Sequence, residues 1–210
     1  MNVLLMGACG VMGRRYQSIL KHLNHTILHV DFPHLLSEVR YSINKADAVI
    51  IATPTMTHTQ VILELSQYEH KNSLPILCEK PVTKYFSDLE ECFEMCKRSS
   101  MELFVVNQYA HLPESVIFDH ADGVTSYNYF NSGRDGLKWD CFQMFALAKG
   151  KVNISNESPY WECEINGVPI NVEHMDGAYV RMVDDFLGDR NKLWGEEIIR
   201  DTTAKIINYT

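Results

Sequence analysis

Short apolar runs alternate with segments of helical periodicity along the first 110 residues of this 210-residue chain. Strands are predicted for residues 2–6, 26–30, 48–52, 75–79 and 102–108, and helices for residues 11–23, 35–43, 57–68 and 87–97. The run at 48–52 is apolar throughout, which is typical of a strand buried on both faces of a parallel sheet. Strand–helix alternation at this spacing predicts βαβ units, so the first half of the chain is expected to form a doubly wound parallel sheet.

The second half of the chain has a different pattern. Strands are predicted for residues 123–130, 151–154, 160–165 and 168–173, and helices for residues 137–148, 177–187 and 193–207. Asn166 and Gly167 separate the last two strands, and this pair is a strong signal for a two-residue hairpin turn. We expect an α/β protein whose first domain covers residues 1–112. The second, residues 113–210, is expected to be a short α+β domain with a mostly antiparallel sheet.

The acidic composition argues against two classes of partner. The chain has 19 basic and 27 acidic residues, a formal net charge of −8, whereas nucleic acids and anionic membranes attract clustered positive charge. It has no apolar run near the roughly 18 residues of a membrane helix, and its start lacks the basic residues and cleavage site of a signal peptide. We therefore expect a cytoplasmic protein with neither a nucleic acid nor a membrane as partner.

The six cysteines predict neither a disulfide framework nor a metal site. None forms a CxxC pair, which fits a reducing compartment. Cys92 and Cys96 lie one helical turn apart, but they share an apolar stripe with Leu89 and Phe93, and no His or Cys stands nearby at ligand spacing. We expect both cysteines to pack in the core, and we expect no bound metal.

A glycine-rich turn follows the first predicted strand and opens the first predicted helix. It comprises Gly7, Ala8, Cys9, Gly10, Val11, Met12 and Gly13. Glycines in such a turn allow a sharp reversal and let the backbone approach a pyrophosphate, which then lies at the positive N-terminal end of the helix. The spacing is one residue off the standard G-x-G-x-x-G, unless Ala8 stands for the first glycine. We predict a dinucleotide-binding Rossmann domain; a purely structural glycine turn is the alternative.

Asp31 ends the second predicted strand and bears on the choice of cofactor. A carboxylate there accepts hydrogen bonds from the adenosine ribose and repels a 2′-phosphate, which predicts NAD(H) as the preferred cofactor. Arg14 and Arg15 follow the turn and would attract that phosphate, so NADP(H) is the alternative. The other interpretation of Asp31 is an ordinary loop aspartate.

Two further segments follow predicted strands: residues 47–55 with His58, and the run Cys78-Glu79-Lys80-Pro81. Both segments resemble the glucose–fructose oxidoreductase/inositol dehydrogenase (Gfo/Idh/MocA) family. The resemblance implies cofactor contacts from Thr53, Pro54, Thr55, His58, Glu79, Lys80 and Gln108. It also implies that Lys80 points into the active site beside the nicotinamide. An ammonium group there can hydrogen-bond a substrate oxygen and help to move its proton, so Lys80 is the first catalytic candidate.

The second half carries a weaker match to the same family. Residues 136–144 resemble its helix that supplies an aspartate and, four residues later, a catalytic histidine. Asp140 matches the aspartate and is the second catalytic candidate, whereas Met144 stands in the histidine's place. The family's arginine after the last strand is absent from residues 109–113, where His111 is either its substitute or a plain loop histidine. Substrate contacts are expected from Tyr109, His111, Arg134 and Gln143.

These features predict an NAD(P)-dependent oxidoreductase. The family resemblance implies that it transfers a hydride between the nicotinamide and a carbinol or carbonyl carbon of a small sugar, polyol or nucleotide-linked sugar. The replaced histidine and short second domain suit a second hypothesis, a dinucleotide-binding regulatory or scaffolding protein without turnover. A third is reduction of a C=N or conjugated double bond, because the glycine turn also resembles that of dihydrodipicolinate reductase. An uncovered sheet face in the second domain would expose apolar surface, from which we expect a homodimer.

Overall fold

Strands and helices alternate in the first half of the protein. The computed structural model describes residues 1–31, 35–68, 73–113, 125–128, 142–147, 152–155, 162–165, 168–169 and 171–208. Its first five strands are β1 (Asn2–Met6), β2 (Thr26–Val30), β3 (Ala48–Ile51), β4 (Leu74–Cys78) and β5 (Met101–Val105). The helices between them are α1 (Val11–His22), α2 (Leu35–Ser42), α3 (Thr55–Leu65) and α4 (Phe86–Arg98).

These five strands form one parallel sheet in the order β2-β1-β3-β4-β5. Every residue of β3 and β4 is buried, as expected for apolar runs in central strands, whereas the edge strands β2 and β5 each keep exposed positions. The winding reverses between β1 and β3, because β2 lies on one side of β1 and β3 to β5 follow on the other. The predicted doubly wound α/β fold is confirmed for this half. Loops at the carboxyl ends of β1 and β3 flank the crevice where such sheets bind ligands.

Beyond β5 the described elements are shorter. They are a 3-10 turn (Gln108–His111), β6 (Thr125–Asn128), α5 (Phe142–Leu147), β7 (Val152–Ser155), β8 (Glu162–Ile165), β9 (Val168–Pro169), a second 3-10 turn (Val172–His174), α6 (Met175–Leu187) and α7 (Glu196–Ile207). The second sheet has the order β7-β6-β8-β9 and is mixed: β6 and β7 are parallel, while β8 is antiparallel to both β6 and β9. The predicted turn at residues 166–167 lies outside the described residues.

The chain divides into two compact units. The first contains Met1–Val106 together with Val183–Glu196, and the second contains Asn107–Met182 together with Glu197–Thr210. We call Val183–Glu196 the returning segment, because it brings the chain back to the first unit. The predicted domain boundary at residue 112 stays a prediction.

The returning segment covers the edge strand β5. The Val105 backbone N–H donates to the Trp194 carbonyl oxygen at 3.1 Å, which forms an antiparallel bridge. A salt bridge of 3.0 Å joins Arg190 to Glu102 on the same strand. Phe186 is fully buried and meets Phe104 edge to face, with ring centroids 6.4 Å apart. An open strand edge exposes unpaired backbone groups, so this cover protects the sheet where it would otherwise end.

Candidate functional site

The turn between β1 and α1 can be built only with glycine at its first position. Gly7 has φ = +84°, and a Cβ there would lie 2.7 Å from the Ala52 carbonyl oxygen. Its backbone N–H donates to the Val30 carbonyl oxygen at 3.0 Å. Gly7 therefore packs the turn against the ends of β2 and β3, in a backbone conformation that side chains disfavour.

Gly13 and Gly10 have different roles in the same turn. A Cβ on Gly13 would lie 2.1 Å from the Gly7 carbonyl oxygen, so its glycine lets α1 sit directly on the turn. Gly10, the exposed N-cap of α1, would place a Cβ 3.3 Å from that oxygen and 3.8 Å from the Ala52 oxygen. No side chain caps this helix end. The first N–H groups of a helix have no partner inside it, and together with its dipole they attract anions.

Asp31, the predicted cofactor-selecting carboxylate, lies against this turn. Its Oδ2 accepts a hydrogen bond of 2.8 Å from the Cys9 backbone N–H, and the Arg14 guanidinium donates to the Cys9 carbonyl oxygen. The hydrogen bond between the Cys9 thiol and Asp31 raises the pKa of that thiol, and the negative charge of Asp31 adds to the effect. Asp31 therefore favours the neutral thiol form of the exposed Cys9.

The loop after β3 is held to the loop after β4 by one imidazole ring. His58 is fully buried on α3; its Nε2 lies 2.8 Å from the Thr53 carbonyl oxygen and its Nδ1 lies 3.0 Å from the Pro81 carbonyl oxygen. The Thr53 hydroxyl is buried and has no hydrogen-bond partner among the described residues. His58 thus fixes the positions of Thr53, Pro54 and Thr55 through backbone contacts.

Lys80 stands two residues after the end of β4, at the same edge of the sheet. The Glu79 N–H continues the ladder by donating to the Ile51 carbonyl oxygen at 2.9 Å. The Glu79 carboxylate accepts from the Tyr16 hydroxyl at 2.7 Å and from the Lys80 backbone N–H at 3.3 Å. Lys80 itself is half-buried. Sequence reasoning missed Tyr16 as a partner of Glu79. The feature that could have indicated it is a hydroxyl-bearing ring on the otherwise apolar face of α1.

This edge of the first unit fits an extended anionic nucleotide. Gly10 leaves an exposed backbone surface at the N-terminus of α1, and Asp31 offers a carboxylate that is hydrogen-bonded to the same turn through the Cys9 N–H. These are the two contacts that a pyrophosphate and an adenosine ribose require. Lys80 adds an amine at the carboxyl end of β4, which is separated from β1 by β3. The residues present can therefore hold NAD(H).

The second unit contains a polar cluster around the 3-10 turn. Tyr109 and Gln108 each make a hydrogen bond to Gln143 on α5, and all three are buried. The His111 ring is also buried, and its backbone carbonyl oxygen accepts from Arg181 Nε on α6 at 2.8 Å. Sequence reasoning missed Arg181, which no local motif marks. Asp140 and Arg134 lie outside the described residues.

The buried cysteines of the first unit are core residues. Burial raises the pKa of the Cys92 and Cys96 thiols to about 12 and that of Cys78 well above its usual range. Within the described ranges, no group of three His, Cys, Asp or Glu side chains is placed to hold a metal ion. In the part of the chain that the structure describes, no helix is long and apolar enough to cross a membrane.

Comparison with solved structures gives matches over almost the full chain at low identity. The WlbA (WbpB) dehydrogenase from Thermus thermophilus, in complex with NAD and UDP-GlcNAcA, is 12% identical with a TM-score of 0.72; the match covers 98% of this chain and 93% of that one. UDP-N-acetylglucosamine 3-dehydrogenase GnnA from Acidithiobacillus ferrooxidans is 15% identical, with a TM-score of 0.73 and coverages of 99% and 95%. A myo-inositol dehydrogenase from Corynebacterium glutamicum is 14% identical, with a TM-score of 0.73 and coverages of 99% and 94%.

These likenesses show a shared fold. No curated protein sequence matches this chain. The family model described as "Oxidoreductase family, NAD-binding Rossmann fold" (GFO_IDH_MocA) matches residues 5–107, the segment that holds the glycine turn, Asp31, His58 and Lys80. The family resemblance found in the sequence is thereby confirmed. The chain belongs to the Gfo/Idh/MocA oxidoreductase family, and its first half is an NAD-binding Rossmann domain.

Proposed function

We propose that this protein is an NAD(P)-dependent oxidoreductase with NAD(H) as its preferred cofactor. It transfers a hydride between the nicotinamide and a carbinol or carbonyl carbon of a small sugar, polyol or nucleotide-linked sugar. The observation that carries the proposal is the first unit's sheet edge. There a glycine turn shaped for a pyrophosphate, a carboxylate docked on that turn and a lysine follow three strands of one parallel sheet.

Different residues of the chain bind the cofactor, bind the substrate and transfer the proton. NAD(H), when bound, supplies the hydride chemistry. Gly10 and the first N–H groups of α1 hold the pyrophosphate, while Asp31 accepts from the ribose hydroxyls and disfavours a 2′-phosphate. Lys80 hydrogen-bonds the reacting oxygen of the substrate and moves its proton. Asp140 orients the substrate or Lys80, and Tyr109, His111 and Arg134 complete the proposed set around the substrate; Gln143, expected from the sequence to join them, is held by Tyr109 and Gln108 instead.

The sugar class is supported by the matched structures. One holds UDP-GlcNAcA with NAD, one is a UDP-N-acetylglucosamine 3-dehydrogenase, and one is a myo-inositol dehydrogenase. All three names describe carbinol-rich ligands or substrates. Oxidation of a ring hydroxyl requires a group that accepts its proton, which Lys80 can do as the neutral amine; in the direction of reduction its ammonium form donates that proton to the carbonyl oxygen.

Protection of Cys9 from alkylation tests where the cofactor binds. Cys9 is exposed in the turn, whereas Cys92 and Cys96 are buried thiols with pKa values of about 12. Maleimide at mildly alkaline pH is expected to label Cys9 in the free protein, and saturating NADH is expected to slow that labelling at least tenfold. Peptide mass spectrometry reads each cysteine separately, and Cys92 and Cys96 are the internal controls. Unchanged Cys9 labelling at an NADH concentration that saturates nicotinamide fluorescence would place the cofactor elsewhere.

The variant Lys80→Ala separates cofactor binding from turnover. We expect Cys9 protection by NADH to survive, while oxidation of the best polyol or sugar falls about 10²–10⁴-fold, the usual contribution of a proton-transferring side chain. Reduced-nicotinamide absorbance against a broad polyol and sugar panel measures turnover. A Lys80→Ala enzyme that turns over at the wild-type rate contradicts the catalytic role of Lys80.

A second candidate function is binding of the dinucleotide without turnover. Met144 stands where the family's histidine is expected, and the neighbouring Gln143 is held by two hydrogen bonds within the second unit. Such a protein would sense redox state or a sugar as a regulator or scaffold. Tight NADH binding with no absorbance change across the whole panel would favour it over the oxidoreductase.

We propose that the protein acts as a cytoplasmic homodimer in which residues 113–210 carry the substrate and self-association surfaces. The proposal is supported by a general argument: a sheet face left uncovered in a short second domain would expose apolar surface, which self-association would bury. Sedimentation equilibrium at micromolar concentration measures the mass, and a species of 24.1 kDa, the mass of one chain, would contradict the dimer.

A further inference from the structure

Glu79 is held from three directions within the first unit. Its backbone N–H donates to the Ile51 carbonyl oxygen at 2.9 Å. Its carboxylate accepts from the Tyr16 hydroxyl at 2.7 Å through Oε1 and from the Lys80 backbone N–H at 3.3 Å through Oε2. The two carboxylate oxygens therefore connect helix α1 to the backbone of residues 79–81, which we call the lysine turn.

The Tyr16 hydroxyl is the group that fixes the carboxylate. A glutamate side chain has several rotatable bonds and settles in one conformation only where a partner holds it. Tyr16 is fully buried, so its ring is itself fixed by packing. A hydroxyl that donates to an ionised carboxylate at 2.7 Å makes a strong hydrogen bond, whereas the bond from the Lys80 N–H is long at 3.3 Å. Without the hydroxyl, that longer bond alone would restrain the carboxylate.

The other end of the lysine turn has its own restraint. The Pro81 carbonyl oxygen lies 3.0 Å from Nδ1 of His58, which is fully buried on α3. The lysine turn is thus fixed after Lys80 by α3 and before Lys80 by α1, the latter through Glu79. Removal of the Tyr16 hydroxyl frees one end and leaves the other in place.

Helix α1 also begins at the proposed pyrophosphate site. The rise from Gly10, its N-cap, to Tyr16 is about 9 Å at roughly 1.5 Å per residue. The missing side chain of Gly13 lets the same helix pack directly on the glycine turn. One helix therefore carries both the N–H groups proposed for the cofactor and the hydroxyl that fixes the lysine turn.

We infer that Tyr16 is a positioning residue for Lys80 and acts through the Glu79 carboxylate. The inference rests on the proposed function, in which Lys80 hydrogen-bonds the reacting oxygen of the substrate. Displacing a reacting group by about 1 Å can lower a rate about 10²-fold, so a proton-transferring lysine needs a fixed backbone. Tyr16 is not a catalytic residue, because its buried hydroxyl acts on the reaction only through Glu79 and Lys80.

The variant Tyr16→Phe removes the hydroxyl oxygen and keeps the ring. We expect its kcat to fall about tenfold, while KM and the protection of Cys9 by NADH change by no more than about twofold. Tyr68→Phe is the matched control, because the Tyr68 hydroxyl donates to Glu64 Oε1 at 3.1 Å in another tyrosine–glutamate pair of the first unit. It should leave all three quantities unchanged.

Amide hydrogen exchange gives a readout that does not require turnover. The Lys80 N–H is bonded to the Glu79 side chain, whereas the Glu79 N–H is bonded to Ile51 in the sheet. In Tyr16→Phe we expect the Lys80 N–H to exchange about fivefold faster relative to the Glu79 N–H, the effect of one modest hydrogen bond. A general loss of stability would speed up both amides alike, so the ratio separates positioning from a merely structural role.

The outcomes for Tyr16 and for the proposed function are distinct. Equal acceleration of the two amides, or wild-type kcat in Tyr16→Phe, overturns the inference and leaves the proposed function standing. A Lys80 amide that exchanges in the wild-type protein as fast as in an unfolded chain overturns it even if the variant fails to fold. If the wild-type protein turns over no member of the polyol and sugar panel, the proposed function falls, and the exchange ratio still decides whether Tyr16 fixes the lysine turn.

Discussion

Replacing Gly10 with alanine is expected to weaken NADH binding roughly tenfold or more while leaving the protein folded. The new Cβ would be a tight fit, 3.3 Å from the Gly7 carbonyl oxygen and 3.8 Å from the Ala52 oxygen, so the turn must give by a few tenths of an ångström. The backbone angles of Gly10, φ −69° and ψ 171°, are open to alanine, so we expect a much smaller loss in the free energy of unfolding than at Gly13, where the Cβ would lie 2.1 Å from an oxygen. The added methyl group weakens binding of the pyrophosphate, because the pyrophosphate must approach the bare backbone of the turn. Nicotinamide fluorescence and thermal unfolding measure the two effects.

Gly13→Ala is the matched variant in the same turn. Its Cβ would lie 2.1 Å from the Gly7 carbonyl oxygen and 2.6 Å from the Ala8 oxygen, both backbone atoms. We expect a loss of about 3 kcal/mol or more in the free energy of unfolding, because α1 must move off the turn. If Gly10→Ala bound NADH with wild-type affinity, the pyrophosphate would not lie on this turn, and the proposed cofactor site would be wrong.

Phe186→Ala is expected to lower the free energy of unfolding by about 3–5 kcal/mol. Phe186 is fully buried in the first unit, where its ring meets Phe104 of β5 edge to face. Truncation removes that packing and loosens the returning segment, which pairs with β5 through Trp194. Urea unfolding measures the change, and its slope with denaturant shows whether the transition stays cooperative.

Phe86→Ala is the control for that measurement. Phe86 is also a phenylalanine of the first unit, at the start of α4, but 41% of its surface is exposed. Its replacement should change the free energy of unfolding by no more than about 0.5 kcal/mol. A loss at Phe186 as small as the one expected at Phe86 would mean that the returning segment contributes little to the stability of the sheet.

Local pattern was sufficient to predict the first half of the fold. The apolar runs that became β1, β3 and β4 are continuous because both faces of a central parallel strand are buried, and the helices between them showed their own period. The glycine turn was predictable for the same reason. Gly7 adopts a positive φ, and glycine is the residue type that does so without strain, so the residue type by itself indicates the turn.

The contacts of the candidate site were less predictable. The sequence marked Asp31, His58 and Lys80 as belonging to one sheet edge, because parallel strands end together. It did not indicate that Asp31 would bind the Cys9 N–H or that His58 would bridge the carbonyl oxygens of Thr53 and Pro81. Those partners lie between 5 and 23 residues away, and side-chain hydrogen bonds across such distances leave no periodic signal.

The amino-acid sequence by itself determined the βαβ alternation, the glycine turn and the family. Each of these depends on residues that lie close together in the chain. Steric limits on the backbone and the spacing of buried side chains are therefore visible directly in the sequence. The tertiary structure decided that Val183–Glu196 returns to cover β5 and that Gln143 turns inward to Gln108 instead of standing free for a substrate. Both depend on long-range packing. A buried apolar face or a buried amide needs a partner, but its own neighbours in sequence do not say which partner the fold will supply.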